Sequence, residues 1–129
     1  MNIAGRSPWE PKFGYSRAVR IGPWVLVAGT TGSDAEGRAI GGPNDAYAQS
    51  KAALDIIEAA LKEAGATMAQ VVRTRIFVTR IADFEAVARA HGERFKDVRP
   101  ASTLVEVGAL VAPDLIVEIE ADAYVGEGG

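Results

Sequence analysis

The chain has 129 residues, of which 48% are apolar and 24% charged, and its net charge is −3. These values are typical of a single globular domain spanning residues 1–129, and the interspersed acids and bases argue against the basic surface that nucleic acid binding needs. The absence of cysteine excludes disulfides, thiolate catalysis and sulfur-based zinc sites, while the single histidine excludes a multi-histidine metal site within one subunit. No stretch is long and apolar enough for a membrane span and the N-terminal segment lacks the features of a signal peptide, so we expect a cytoplasmic protein.

The first half of the chain predicts a hairpin followed by a helix. Residues 16–21 and 24–29 are short apolar runs separated by Gly22-Pro23, a pair typical of a turn. Residues 32–43 are rich in glycine and polar side chains and are expected to form a surface loop. Asn44 or Asp45 then begins a helix that ends at Gly65, and its apolar residues recur at helical spacing. One face of this helix should therefore lie on a sheet.

The second half predicts a strand, a helix and two more strands. Residues 71–79 are rich in β-branched side chains that alternate with others, which indicates a strand. Asp83 can cap a helix over 84–97, with Phe84, Val87, Ala88, His91 and Phe95 on its inner side. Strands over 98–110 and 115–125 follow. The order ββαβαββ predicts an α+β, two-layer domain with two helices on one face of a mixed sheet.

The sheet face away from the helices, here called the open face, has an unusual composition. It is expected to carry charges of both signs together with large apolar groups. A solvated face with surface ion pairs, each worth ~0–1 kcal/mol, is one interpretation. The other is burial against further copies of the chain in a small cyclic oligomer, with clefts between the subunits. The residues predicted on this face are Arg73, Arg75, Phe77, Ser102, Leu104, Glu106, Glu118, Glu120, Asp122 and Tyr124.

Several segments of the chain resemble the Rid proteins, the reactive intermediate deaminases also called YjgF-like and formerly grouped as endoribonuclease L-PSP. The resemblance lies in "GYSRAVRIGPWVLVAGTTG", "VVRTRIFVTRIADFEAV", "RPASTLVEV" and "VEIEADA". It implies a chorismate-mutase-like fold and a homotrimer whose sheets form a central barrel. It also implies three small-molecule clefts between subunits.

The resemblance further implies the residues of each cleft. Glu118 corresponds to the glutamate that places or activates a water, Tyr15 to an aromatic wall, and Gly29-Thr30 to a Gly-Gln step beside the substrate. The arginine that holds the substrate carboxylate in the family is replaced by Ser102. Leu104 and Ala88 likewise stand where the family has a small or thiol-bearing residue and an asparagine.

Another cation would have to take the place of the missing arginine. Arg75 is one candidate, although it could instead pair with Glu118 or Glu120, and Arg99 before the strand proline is the other. His91 can be a proton shuttle or a packed or interface histidine.

The function implied by the resemblance is hydrolysis of reactive enamines and 2-imino acids, such as 2-iminobutanoate and 2-iminopropanoate, to 2-oxo acids and ammonia. Water and a positioned carboxylate suffice for this reaction, so no cofactor or metal is expected. A non-catalytic trimer that binds a small metabolite is the alternative. Ribonuclease activity is a third hypothesis, but the acidic charge balance of the chain disfavours RNA binding.

Overall fold

The computed structural model describes residues 1–126, which form a six-stranded sheet with helices on one face. The strands are β1 (Asn2–Ile3), β2 (Ala18–Ile21), β3 (Trp24–Thr31), β4 (Val71–Val78), β5 (Ala101–Glu106) and β6 (Val117–Tyr124). The helices are α1 (Trp9–Phe13), α2 (Ala46–Glu63) and α3 (Phe84–Phe95), with single 3₁₀ turns at Met68–Gln70 and Ile81–Asp83.

The sheet order is β1-β2-β3-β6-β4-β5, and β4 and β5 form its parallel pair. Helices α2 and α3 contact each other, and α2 packs on β3 and β6. The core between the layers consists of aliphatic side chains withdrawn from solvent, among them Leu54, Ile57, Leu61, Val117 and Ile119. The predicted α+β, two-layer arrangement is confirmed.

The hairpin and the long helix form where the sequence predicts them. Strands β2 and β3 pair antiparallel across the turn at Gly22. Helix α2 begins after Asp45, whose carboxylate accepts a hydrogen bond from the Ala48 amide at 2.9 Å. Gly65 follows its end with a φ of 83°, the left-handed conformation that glycine adopts without a steric penalty.

The segment before the hairpin has structure that was not predicted. It contains β1 and the short helix α1. Ser7 and Glu10 have the Ser-x-x-Glu spacing that is typical of a helix start. In the structure the Trp9 amide donates to the Ser7 hydroxyl, and the Ser7 amide donates to the Glu10 carboxylate. This pattern was available in the sequence, and α1 forms one wall of the candidate site.

The predicted orientation of strand β5 is wrong. Its register pairs Thr74 with Ser102 and Ile76 with Leu104, which puts Ser102, Leu104 and Glu106 on the helix side of the sheet. Alternation fixes which residues share a face, but β5 is an edge strand with exposed residues on both sides, so burial does not reveal which face is inner. Glu106 is satisfied there by the Ile81 amide, which donates to its carboxylate at 2.9 Å.

Two smaller differences concern β4 and α3. A register irregularity at the start of β4 interrupts the predicted alternation of the strand, so that Val71 is buried and Val72 is exposed. On α3, Phe84 and Ala88 are exposed rather than inward.

Among residues 1–126, no helix is both long and apolar enough to span a membrane.

Candidate functional site

The candidate site lies on the open face, where β3 departs from regular pairing. Val27 pairs with Ala121 and Thr30 pairs with Ile119, so Ala28 and Gly29 together oppose the single residue Glu120. Such a bulge bends the strand and re-aims its residues, and bulges are frequent beside active sites.

Gly29 lies directly against the side chain of Glu118 on β6. A Cβ built on Gly29 would overlap the Glu118 carboxylate, so a side chain at this position would displace that carboxylate from where it lies. The family resemblance pointed to both residues, and the structure brings them together.

A cavity of about 670 Å³ opens in front of this pair. Its floor is the sheet, and its outer wall comes from α1 and the residues that follow it. Aromatic rings dominate that wall, with Phe13 and Tyr15 in edge-to-face contact at 5.6 Å between centroids. The residues that line it are Ser7, Trp9, Lys12, Phe13, Tyr15, Arg17, Ala28, Gly29, Thr31, Val111, Glu118 and Glu120.

Glu118 is the carboxylate whose electrostatic environment stands out in this cavity. Burial raises its pKa above the ordinary value, the negative charge of Glu120 raises it further, and Arg17 opposes both. A carboxyl group shifted in this direction can exchange protons closer to neutral pH, as general acid–base catalysis requires.

Arg17 is a site residue that sequence reasoning missed. Its side chain is 6% exposed, and its Nη2 donates to the Gly29 carbonyl at 2.5 Å. Its guanidinium also lies 5.4 Å from the centre of the Tyr15 ring. The signal in the sequence was a charged residue at the entrance of an apolar strand, two positions after the predicted aromatic wall.

The predicted substrate-binding Thr30 does not reach the cavity. Its side chain is fully buried on the helix side, and its hydroxyl donates to the Ala28 carbonyl at 2.7 Å. The irregular pairing of β3 turns the neighbouring Thr31 to the cavity instead.

Ser102 lies on the helix side, away from the Glu118 cavity. The Thr74 hydroxyl donates to the Ser102 hydroxyl at 2.8 Å and contacts His91 Nε2 at 2.9 Å. His91 also packs against Phe95, and burial lowers its pKa. Within the subunit, His91 is therefore a hydrogen-bonded and packed side chain of α3.

The two arginines predicted as substitutes for the missing anchor do not line the cavity. On the open face, Arg75 forms ion pairs with Glu120 and Asp122 at 3.4 and 3.3 Å. The predicted alternative of a pair with Glu120 is therefore observed, whereas a pair with Glu118 is not. The predicted shared face of Arg75 and Ser102 is wrong because Thr74, not Arg75, is the neighbour of Ser102 in the register. Arg99 is exposed and lies in the turn that follows α3. Its φ is 57°, and its backbone N–H donates a hydrogen bond to the Phe95 carbonyl.

The site has no feature of a metal centre. Within residues 1–126, no three Asp, Glu or His side chains are grouped closely enough to hold a metal ion. The groups that the cavity offers to chemistry are one carboxyl with a raised pKa, one buried guanidinium and an aromatic wall.

The fold and this cavity define a class of small α+β protein, and comparison with known proteins identifies it. The family model for endoribonuclease L-PSP matches residues 6–125. A crystal structure from Mycobacterium tuberculosis, described as a member of the YjgF/YER057c/UK114 family, is 52% identical, covers 97% of this chain and 98% of its own, and superimposes with a TM-score of 0.87. The chain therefore belongs to the Rid/YjgF-like family, and its fold is the chorismate-mutase-like one that the resemblance implied.

Two curated relatives add to this comparison. An uncharacterized protein of Streptomyces coelicolor is 41% identical over 96% of this chain and 91% of its own length. The 3-aminoacrylate deaminase RutC of Acinetobacter baylyi is 38% identical over 63% of this chain and 64% of its own length.

Proposed function

We propose that the protein is a cytoplasmic enamine/imine deaminase that hydrolyses reactive 2-imino or 2-enamino acids to 2-oxo acids and ammonia. The observation that carries this proposal is Glu118, a carboxyl with a raised pKa held against Gly29 in an aromatic-walled cavity. The deaminase activity of the Acinetobacter baylyi relative supports the same reaction class.

The reaction needs only proton transfers around an added water. Glu118 accepts a proton from water as the oxygen bonds to the imine carbon, and then returns it to the nitrogen. With a protonated imine this gives an ammonium group beside the new hydroxyl group. The hydroxyl proton then passes to the Glu118 carboxylate as the C–N bond breaks, ammonia leaves and the carbonyl forms. A single carboxyl can serve both steps because its raised pKa brings its two protonation states closer in free energy near neutral pH.

We further propose that the open face is buried in a homotrimer. Apolar residues on this face are exposed in the single chain, including Ile21 at 67%, Trp24 at 43% and Leu26 at 45%. Exposed patches of this kind mark interaction surfaces. The cavity opens on the same face, so neighbouring subunits would complete its walls.

The deaminase proposal predicts removal of imino acids that form in solution. An L-amino-acid oxidase would generate 2-iminobutanoate or 2-iminopropanoate in the presence of semicarbazide, and the trapped semicarbazone would be followed by absorbance. We expect the protein to suppress semicarbazone formation. If it does not, while a small metabolite co-purifies with it or binds in the cavity, the non-catalytic binding function replaces the proposed one.

The trimer proposal predicts a sedimentation mass three times that of the 13.6 kDa chain. Leu26→Glu would place a charge inside the interface and is expected to shift the protein towards monomers, because an unpaired buried charge is costly. Ile40→Glu is the matched control, since Ile40 is similarly exposed but lies in the loop after β3. Analytical ultracentrifugation checks both, and a monomeric wild-type protein would rule out the trimer.

A further inference from the structure

We infer that Arg17 is the anchor for the substrate carboxylate, in place of the arginine that Ser102 replaces, and that the cavity therefore selects anionic 2-imino and 2-enamino acids over neutral imines. This inference rests on the proposed deaminase function. It concerns a residue immediately before β2, whereas Ser102 lies on β5.

The first argument is that the Arg17 guanidinium has unused donors at the cavity. An arginine carries five N–H donors. Nη2 donates to the Gly29 carbonyl, and Nε is buried without a hydrogen-bond partner among residues 1–126. The guanidinium therefore keeps unpaired N–H donors for an acceptor that enters the cavity.

The second argument is that Arg17 carries a charge that the protein does not neutralise with an ion pair. Within the described residues, no carboxylate lies within ion-pair distance of it. Glu118, on which Arg17 acts electrostatically, has a raised pKa, and Glu120 is paired with Arg75. The buried Glu10 carboxylate accepts hydrogen bonds from the Gly5 and Ser7 amides instead. The guanidinium is therefore available to a carboxylate, the anion whose planar geometry it matches best.

The third argument is that the side chain is held in place before any ligand arrives. The backbone of Arg17 is bonded on both sides, since its amide donates to Ile3 and its carbonyl accepts from Ala28, both at 2.9 Å. Tyr15 lies beside the guanidinium and Gly29 accepts from it. A planar acid whose carboxylate meets Arg17 would lie along the aromatic wall, with its imine carbon towards Glu118.

Calorimetric titration with 2-oxobutanoate and with its neutral analogue 2-oxobutanamide tests the anchor without any turnover. We expect the wild-type protein to bind the acid more tightly than the amide, and Arg17→Gln to lose about tenfold to a hundredfold in affinity for the acid with little change for the amide. Arg17→Lys, which keeps the charge but not the planar fork, should lose an intermediate amount.

Two controls separate anchoring from structural damage. Arg20→Gln removes the same charge three residues further along, on β2, where Arg20 donates to the Ala64 carbonyl outside the cavity, and it should leave acid binding unchanged. Thermal melting identifies any unfolded variant, in which case Arg17→Lys alone provides the comparison.

The outcomes distinguish this inference from the proposed function. If acid binding needs Arg17 but the protein does not suppress semicarbazone formation, the anchor inference stands and the proposed deaminase function is rejected. Suppression by the wild type together with unchanged acid binding by folded Arg17→Gln and Arg17→Lys keeps the deaminase and rejects the anchor. A wild-type protein that binds the amide as well as or better than the acid also overturns the anchor.

Discussion

Replacement of Glu118 by glutamine is expected to slow imine hydrolysis by about 10²–10⁴-fold, the usual contribution of a general acid–base group. Glutamine keeps the size of the side chain beside Gly29 but can neither accept the proton of the attacking water nor return it. Suppression of semicarbazone formation, measured at several protein concentrations, gives the loss of rate. Binding of 2-oxobutanoate should survive, since the proposed carboxylate anchor is elsewhere.

Asp122→Asn is the matched control for this substitution. Asp122 is also an acid on the open side of β6, but it pairs with Arg75 and does not line the cavity. Its variant should retain most of the activity. Equal activity in the Glu118 variant and the wild type would remove Glu118 from the mechanism.

The raised pKa of Glu118 gives this prediction two pH signatures. The form that acts as the base is the carboxylate, so activity should rise as pH increases through the raised pKa of Glu118. The Glu118→Gln variant should lack this rise in its pH–activity profile. Stability should respond in the opposite direction: a carboxyl whose folded pKa exceeds its ordinary value of 4.5 contributes stability below that value and loses it as pH rises through the folded pKa. At neutral pH we therefore expect Glu118→Gln to resist urea better than the wild type, and to lose this advantage at acid pH.

The strands of the open face show what sequence patterns can predict. Strict alternation in β6, with aliphatic residues on one side and acids on the other, placed Glu118 correctly because both neighbours of β6 lie inside the sheet and one face must be buried. The same reasoning failed for β5, an edge strand, where Ser102 was assigned to the wrong face.

The other errors arose where local geometry departs from regular structure. The irregular pairing of β3 directs Thr31 rather than Thr30 to the cavity, and no periodicity in the sequence marks it. The anchor was sought near Ser102, although the buried cation of the cavity is Arg17 at the start of the hairpin. Its role depends on the contact between β2, β3 and α1, which arises only in the folded chain.

The entry of β6, and with it the position of Glu118, depends on one buried polar side chain of α2. Gln49 is 0% exposed, and its amide group bonds three backbone groups from two loops. Nε2 donates to the carbonyls of Gly42 and Asp114, both at 2.9 Å. Oε1 accepts from the amide of Ile116 at 3.0 Å, immediately before β6 begins.

Gln49→Leu is therefore expected to lower the free energy of unfolding by about 3 kcal/mol or more, because each buried backbone group that loses its partner costs roughly 1–3 kcal/mol. Ser50→Ala is the matched control: Ser50 is the next residue of α2 and equally buried, but its hydroxyl has no hydrogen-bond partner among residues 1–126, so its removal should change stability by less than about 1 kcal/mol. Urea denaturation measures both. Similar losses in the two variants would mean that packing, rather than these three hydrogen bonds, accounts for the importance of Gln49. If the bonds do hold the loop before β6, the folded Gln49→Leu protein should also lose activity, since Glu118 follows Ile116 closely in the chain.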